Sequence, residues 1–98
     1  MSLEAFFDTP SWGSPVEKQV RLRIKLAVAA YAYEFRNESI ISDAEFDKMC
    51  LEVDPSIATG YRKMDNFFKN KFDPSTGQWI HSHPDLKGIK NIFEKYYK

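Results

Sequence analysis

The feature that most limits how this 98-residue chain can fold is one long helical pattern near its N-terminus. Ser14-Pro15-Val16-Glu17 combines a capping serine, a proline at the first helical position and a glutamate three residues after the cap, so the free amides of a helix start are satisfied. Apolar side chains then recur at steps of three or four, and the apolar run 26–33 widens the stripe. The pattern predicts a helix over 15–36 that is central to the fold and buried on more than one side.

The middle of the chain holds the patterns of two shorter helices. A second capping box, Ser42-Asp43-Ala44-Glu45, predicts a helix over 42–54. Asp54-Pro55 ends it, because the residue before a proline disfavours helical backbone. Aromatic and methionine side chains at helical spacing predict a third helix over 61–72. The first two helices and their link therefore form a helix–loop–helix.

A turn-rich stretch separates the third helix from the last. A turn containing Pro and Gly is followed by 79–81, for which we expect a short extended piece. Pro84 begins a fourth helix over 84–97, with Ser82 or His83 as its cap. The sequence thus predicts an all-α protein, a small bundle of about four helices with a helix–loop–helix core and a turn-rich insertion before the last helix. Six side chains are expected to be buried: Ile24, Val28, Tyr31, Phe46, Met49 and Phe93.

Length and composition indicate one folded unit. A chain of 98 residues suits a single domain with one core, and its 43% apolar and 15% aromatic content supplies surface to bury. Residues 1–14, with Phe6, Phe7 and Trp12, are interpreted as an N-terminal arm whose aromatic side chains pack on the helical domain of residues 15–98. We therefore expect a single domain over the whole chain.

Cysteine usage and apolar runs bear on location. Cys50 is the only cysteine, which excludes an intramolecular disulfide and suits a reducing cytoplasm. The longest apolar run, 26–33, is far shorter than the ~20 residues needed to span a bilayer. We expect a cytoplasmic protein that has no membrane contact.

Charge is balanced overall but not along the chain. Residues 1–60 carry six Lys or Arg against ten Asp or Glu, a net −4, and residues 61–98 carry eight against four, a net +4. Such asymmetry can mark a nucleic-acid surface, but solvated helix faces also produce it. We favour solvated faces and keep nucleic acid as the alternative.

The segment from Ala30 to Cys50, AYAYEFRNESIISDAEFDKMC, carries most of the functional information. It resembles the N-terminal helical domain, domain Ia, of NAD-dependent DNA ligases, in which a YxYY/H segment leads without gaps into a (S/P)DAEYD motif. The match spans about a quarter of the chain. In that family the domain contacts the nicotinamide mononucleotide (NMN) half of NAD, so the resemblance implies NMN or NAD as a ligand. It does not imply an enzyme, because the ligase domain acts only by closing over an adenylation domain.

The resemblance implies that five residues gather round the nucleotide: Tyr33, Glu34, Asp43, Phe46 and Asp47. Three of them match the family's motif. Glu34 stands where the family has histidine or tyrosine, and Phe46 lacks the tyrosine hydroxyl. One stacking surface and one hydrogen bond therefore differ from the family, and no required cofactor is implied.

The same acids have an explanation that needs no ligand. Asp43 and Asp47 lie four residues apart, where like charges cost roughly 0.2–0.5 kcal/mol. Asp43 lies in the first turn, at the positive end of the helix dipole, which stabilises this acid by about 0.3–1 kcal/mol and so offsets the repulsion. A helix start alone accounts for Ser42, Asp43 and Glu45, and both interpretations stay open.

Three other patterns are interpreted as structural. Lys63-Met64-Asp65-Asn66 has nearly the KxDG motif of nucleotidyltransferases, but asparagine replaces glycine and the segment is predicted helical, so we expect a solvated face and no enzymatic activity. His81 and His83, beside nearby aspartates, are candidate metal ligands, yet their alternate spacing favours capping histidines and no metal. Trp79 is expected to anchor the core rather than to stack on a base.

Together these patterns predict a small, stand-alone, non-catalytic helical module of the kind that a bacteriophage or prophage encodes. We expect it to bind a nicotinamide nucleotide or to dock to a protein partner in DNA replication or repair. The alternative is an accessory protein with no ligand, whose aromatic N-terminal arm and basic last helix contact protein or DNA.

Overall fold

The computed structural model describes residues 14–97, and all regular structure in that range is helical. A 3-10 helix, Gln78–Ser82, precedes the last of four α-helices: α1 Pro15–Arg36, α2 Asp43–Glu52, α3 Arg62–Asn70 and α4 Leu86–Tyr96. The all-α prediction is confirmed, and each predicted α-helix ends within two residues of the observed bounds. The packing expected of Phe6, Phe7 and Trp12 concerns residues outside the described range.

The central helix is α1, as predicted. Ser14 Oγ accepts a hydrogen bond from the Glu17 amide at 3.3 Å, so the predicted cap forms. The helix ends at Arg36 and is capped by Asn37, whose left-handed backbone (φ 57°) turns the chain so that the Glu38 amide donates to the Ala32 carbonyl at 2.9 Å. From Val20 to Ala32 most side chains are buried, because α1 packs against α4, the 3-10 helix and α2.

The core is formed by α1 together with one face of each of the other helices. Five of the six side chains expected to be buried are buried: Ile24, Val28, Tyr31, Met49 and Phe93. The sixth, Phe46, is only half-buried, because its ring packs against the core on one side and borders a cavity on the other. Trp79 is buried and its ring centroid lies 5.0 Å from that of Phe72, so it anchors the core as expected.

The helix α2 is held at both ends. At its start Ser42 Oγ accepts a hydrogen bond from the Glu45 amide at 3.1 Å, which forms the predicted cap. At its end the buried side chain of Gln19 donates to the Glu52 carbonyl (2.9 Å) and accepts from the Asp54 amide (3.1 Å). These bonds satisfy backbone groups that a helix end leaves without partners.

A buried arginine holds the connection between α2 and α3. Arg23 is 0% exposed and donates to Asp65 Oδ1 (2.9 Å) and to the carbonyls of Asp54 (2.7 Å) and Ile57 (3.0 Å). Asp65 in turn accepts hydrogen bonds from the amide (2.9 Å) and hydroxyl (2.6 Å) of Thr59. A buried charge needs such partners, so this network fixes the path of the connection.

The prediction of an extended piece over 79–81 is wrong. These residues belong to the 3-10 helix, in which the Ile80 and His83 amides bond to carbonyls three residues earlier. The tight turn places both Trp79 and Ile80 in the core, which an alternating extended backbone would not do.

The start and cap of the last helix also differ from prediction. The helix begins at Leu86 rather than Pro84, and Asp85 Oδ1 caps it by accepting from the Gly88 amide at 3.1 Å. The ring of His83 is buried, and its Nδ1 accepts from the Asp85 amide at 3.0 Å. His83 therefore bonds to a residue before the helix starts and does not cap the helix.

Within residues 14–97 no helix combines the length and the apolar content that crossing a membrane requires.

Candidate functional site

A cavity of about 410 Å³ lies between the C-terminal half of α1, the start of α2 and the turn before the 3-10 helix. Its volume falls in the range of small-molecule sites, roughly 300–1,000 Å³. Its lining includes all five residues that the sequence predicted: Tyr33, Glu34, Asp43, Phe46 and Asp47.

Local geometry explains why these five residues meet. Tyr33 and Glu34 lie in the last turn of α1, and the left-handed residue Asn37 reverses the chain after them. Capping by Ser42 then starts α2 beside the end of α1. Asp43 and Asp47 are one helical turn apart, so both reach the same side of α2 and line the cavity.

Two aromatic rings border the cavity in different ways. Tyr33 is 59% exposed and lines the cavity, so it stands at the rim. Phe46 lies deeper, and a Cβ placed on Gly77 would be 3.6 Å from its Cζ atom. The terminal carbon of Phe46, which would carry the hydroxyl of a tyrosine, thus points towards the turn at Gly77.

Carboxylates dominate the electrostatics of this cavity. Glu34, Asp43 and Asp47 line it, and no Lys, Arg or His side chain is among its lining residues in the part of the chain that the structure describes. The start of α2 adds only a partial positive charge. The arrangement is therefore suited to cationic groups and to hydrogen-bond donors such as hydroxyls and amide NH₂ groups.

His81 lies beside the cavity although its own position in the sequence gave no indication of this. Its Nε2 is 3.0 Å from Glu34 Oε1, and its ring centroid is 4.7 Å from that of Phe35. Thr76, Gly77 and Gln78 also line the cavity. No local motif marks these residues, because they reach the site only through the packing of the 3-10 helix on α1.

The two histidines considered as metal ligands face different neighbours. His81 pairs with Glu34, whereas His83 lies against the ring of Phe67, with ring centroids 5.2 Å apart. Among residues 14–97 no group of three His, Cys, Asp or Glu side chains is placed to hold a metal ion.

Burial shifts two titratable groups near the core. Desolvation lowers the pKa of His83 to about 4, so its imidazole is neutral at neutral pH. Desolvation, with a smaller effect from Asp47, raises the pKa of the Cys50 thiol to about 11. Cys50 is therefore a protonated core residue and not a nucleophile.

The segment with the spacing of a nucleotidyltransferase motif lies on α3. Lys63 is exposed, and neither it nor Asp65 lines the cavity. The expectation of a wholly solvated face is wrong for Asp65, which is half-buried and pairs with Arg23 at 2.9 Å. Hydrogen bonds from Thr59 and the charge of Arg23 outweigh desolvation and lower the pKa of this carboxyl.

No protein-family model, curated protein or solved structure matches this chain.

Proposed function

We propose that this chain is a small, non-catalytic helical module that binds the nicotinamide end of NMN or NAD in the cavity between α1 and α2. One observation carries this role: the five residues implied by the resemblance to ligase domain Ia line a single cavity of suitable volume. Two of those residues differ from the family's motif, yet both remain part of the lining.

The chemistry of the cavity matches the nicotinamide riboside part of the ligand better than its phosphate. The nicotinamide ring of NMN and of oxidised NAD carries a fixed positive charge, which Asp43, Asp47 and Glu34 complement. Ribose hydroxyls and the carboxamide donate hydrogen bonds to the same carboxylates. Tyr33, which is largely exposed at the rim, supplies an aromatic ring for stacking.

The role we propose is binding without catalysis. The side chain of Lys63 is outside the cavity lining, and Asn66 stands where the nucleotidyltransferase motif has glycine. We expect no adenylated protein after incubation with NAD. A cytoplasmic setting fits a chain whose one cysteine is a buried thiol.

Docking to a partner in DNA replication or repair is the second candidate. The observation that favours it is the exposure of two aromatic side chains near the cavity, Tyr33 at 59% and Phe35 at 44%.

Calorimetric titration of the pure protein with NMN, oxidised NAD and AMP tests the nucleotide role. We expect NMN and NAD to release or absorb heat with one binding site per chain, and AMP, which lacks nicotinamide, to give no heat beyond dilution. If millimolar NMN and NAD give no heat and leave the melting temperature unchanged, the nucleotide role is lost and the motif serves as a scaffold for a protein partner.

A further inference from the structure

His81 reaches one carboxylate of the cavity from outside the lining. Its Nε2 lies 3.0 Å from Oε1 of Glu34, whose side chain is 20% exposed. Nε2 carries a hydrogen in the imidazolium ion and in one neutral tautomer, so His81 can donate to Glu34 in either charge state. Asp43 and Asp47, the other acids of the cavity, form no ion pair or side-chain hydrogen bond within residues 14–97. Among the described residues, Glu34 is therefore the cavity acid whose carboxylate a second side chain orients.

A row of three aromatic rings holds His81 in place. The ring of Tyr31 is buried in the core and stacked on that of Phe35, with centroids 5.0 Å apart and planes at 21°. The Phe35 centroid in turn lies 4.7 Å from that of His81. The backbone before His81 is also fixed, because Ile80 is fully buried. His81 therefore approaches Glu34 from a defined position, although half of its own side chain is exposed.

The pairing leaves the second oxygen of Glu34 available. His81 occupies Oε1, and no hydrogen bond to Oε2 forms in the part of the chain that the structure describes. Glu34 lines the cavity and His81 does not. A carboxylate that is held at one oxygen from outside the cavity can accept a hydrogen bond from a ligand at the other.

The contribution of this pair to the stability of the fold is small. His81 is 51% exposed, and ion pairs that water reaches contribute little. The 3-10 helix is held on α1 by Trp79 and Ile80, which are both buried in the core. The pair is thus not required to attach this segment, and its effect falls on the cavity.

An oriented acceptor suits one part of the proposed ligand in particular. The planar carboxamide of nicotinamide has an NH₂ group, which donates hydrogen bonds in fixed directions. The charge of the ring and the rotating ribose hydroxyls make no such demand, so Asp43 and Asp47 can serve them without a fixed orientation. Glu34 is therefore the acid best suited to the carboxamide.

We propose that His81 positions Glu34 so that Oε2 accepts a hydrogen bond from the carboxamide NH₂ group, which makes the site selective for the amide. This inference rests on the proposed binding of NMN or NAD in the cavity. His81 is a positioning residue, because it contacts Glu34 and lies outside the cavity lining.

Calorimetric titration with oxidised NAD and with its 3-acetylpyridine analogue tests the proposal. The analogue has the same charge and carries a methyl group in place of the NH₂ group, so it lacks only the donor. A hydrogen bond to a charged acceptor contributes roughly 10- to 100-fold in affinity, and we expect the unaltered protein to prefer NAD by that factor. His81→Leu should weaken the binding of NAD by about tenfold and leave that of the analogue nearly unchanged.

The matched variant is His81→Gln. Both substitutions remove the ring beside Phe35, but glutamine keeps an NH₂ donor at about the reach of Nε2, so most of the preference for NAD should remain. In a Glu34→Ala background, His81→Leu should have no further effect on either ligand, because His81 acts through Glu34. Ser82→Ala, at an exposed position of the same 3-10 helix, should change neither affinity. Melting curves establish that each variant folds.

The outcomes separate this role from nucleotide binding itself. Equal affinity of the unaltered protein for NAD and the analogue would leave the nucleotide role standing and overturn the role of His81 and Glu34 in recognising the amide. Equal weakening of both ligands by His81→Leu, or the same loss in His81→Leu and His81→Gln, would also overturn it. If neither NAD nor the analogue binds to the unaltered protein, the proposed function fails and this inference fails with it.

Discussion

The imidazole of His81 lies 3.0 Å from the carboxylate of Glu34, although the two residues are 47 positions apart in the chain. Glu34 occupies the position at which the ligase motif has histidine or tyrosine. A ring is therefore present next to this position, but it comes from the 3-10 helix instead of α1. The pairing also orients a cavity-lining carboxylate from outside the cavity, which links the insertion before α4 to the proposed site.

We expect the carboxylate of Asp43 to contribute to nucleotide binding itself, and not only to the start of α2. A ligand at about 100 times its dissociation constant stabilises a fold by roughly 2.7 kcal/mol. For a chain of this size each kcal/mol raises the melting temperature by about 4–8 °C. We expect NMN to raise the melting temperature by about 10 °C or more, and Asp43→Asn to remove most of that rise.

The matched control for this experiment is Glu45→Gln, which removes one acid from the same turn of α2 but lies outside the cavity lining. Asparagine is accepted near helix starts, so both variants should melt within a few degrees of the unaltered protein when no ligand is present. Equal ligand shifts in the two variants would contradict a role for Asp43 in binding.

Oxidised NAD should bind more tightly than reduced NADH. The two molecules share the same pyrophosphate and adenosine, but only the oxidised nicotinamide ring carries a positive charge. Since three carboxylates line the cavity, we expect a preference of about tenfold, or roughly 1.4 kcal/mol. Competitive calorimetry measures this ratio directly, and equal affinities would mean that the ring lies outside the acidic cavity.

Local signals in the sequence predicted the helices, and the resemblance supplied five of the residues that line the candidate site. Ser14 and Ser42 each accept a hydrogen bond from the amide three residues later, so their caps can be inferred from the sequence. The five site residues came from the resemblance to ligase domain Ia. They lie in one continuous segment, and the end of α1 and the start of α2 bring them to one side of the cavity.

The remaining features depend on contacts between distant parts of the chain. His81 reaches Glu34 across 47 positions and Arg23 reaches Asp65 across 42, and no periodic pattern marks such pairs. Arg23 lies three residues after Val20 and four before Ala27, at the spacing of the apolar stripe, and it is fully buried because carbonyls of the α2–α3 connection accept its hydrogen bonds. An arginine at a core position shows its role only once the fold supplies its acceptors.

Replacing Arg23 should be among the most destabilising single changes in the chain. Arg23→Met keeps the apolar stem but removes the charged partner of Asp65, which retains only its hydrogen bonds from Thr59. It also leaves two carbonyls without the guanidinium donor, so we expect a loss of about 3–5 kcal/mol in unfolding free energy. Arg23→Lys keeps the charge but cannot bond to all three acceptors, and its loss should be smaller. Urea unfolding measures both variants.

Lys69→Met is the control for this comparison, since Lys69 is exposed on α3 and the change should cost less than about 0.5 kcal/mol. A loss below about 1 kcal/mol in Arg23→Met would mean that the connection between α2 and α3 does not need the buried guanidinium.

The free energy of unfolding should decrease as the pH is lowered below about 6.5, because the buried His83 resists protonation. Burial lowers the pKa of this imidazole from 6.5 to about 4, so the unfolded chain binds a proton in that range while the folded protein does not. The slope approaches about 1.4 kcal/mol per pH unit, and the total loss by pH 4 is on the order of 3 kcal/mol. Carboxyls such as Asp54, Asp65 and Asp73, whose pKa values hydrogen bonds lower from 3.8, lose their contribution only at still lower pH.

The variant His83→Asn separates the effect of His83 from that of the carboxyls, which titrate at lower pH. Its side chain can still accept a hydrogen bond from the Asp85 amide but does not titrate. We expect it to be less stable than the unaltered protein at pH 7, since the packing of the ring against Phe67 is lost, but to show a flatter profile between pH 6.5 and 4. Urea unfolding of the unaltered protein and of His83→Asn at half-unit pH steps gives the two profiles. If His83→Asn keeps the full slope, protonation of some other group drives the acid destabilisation, and the buried imidazole is not its source.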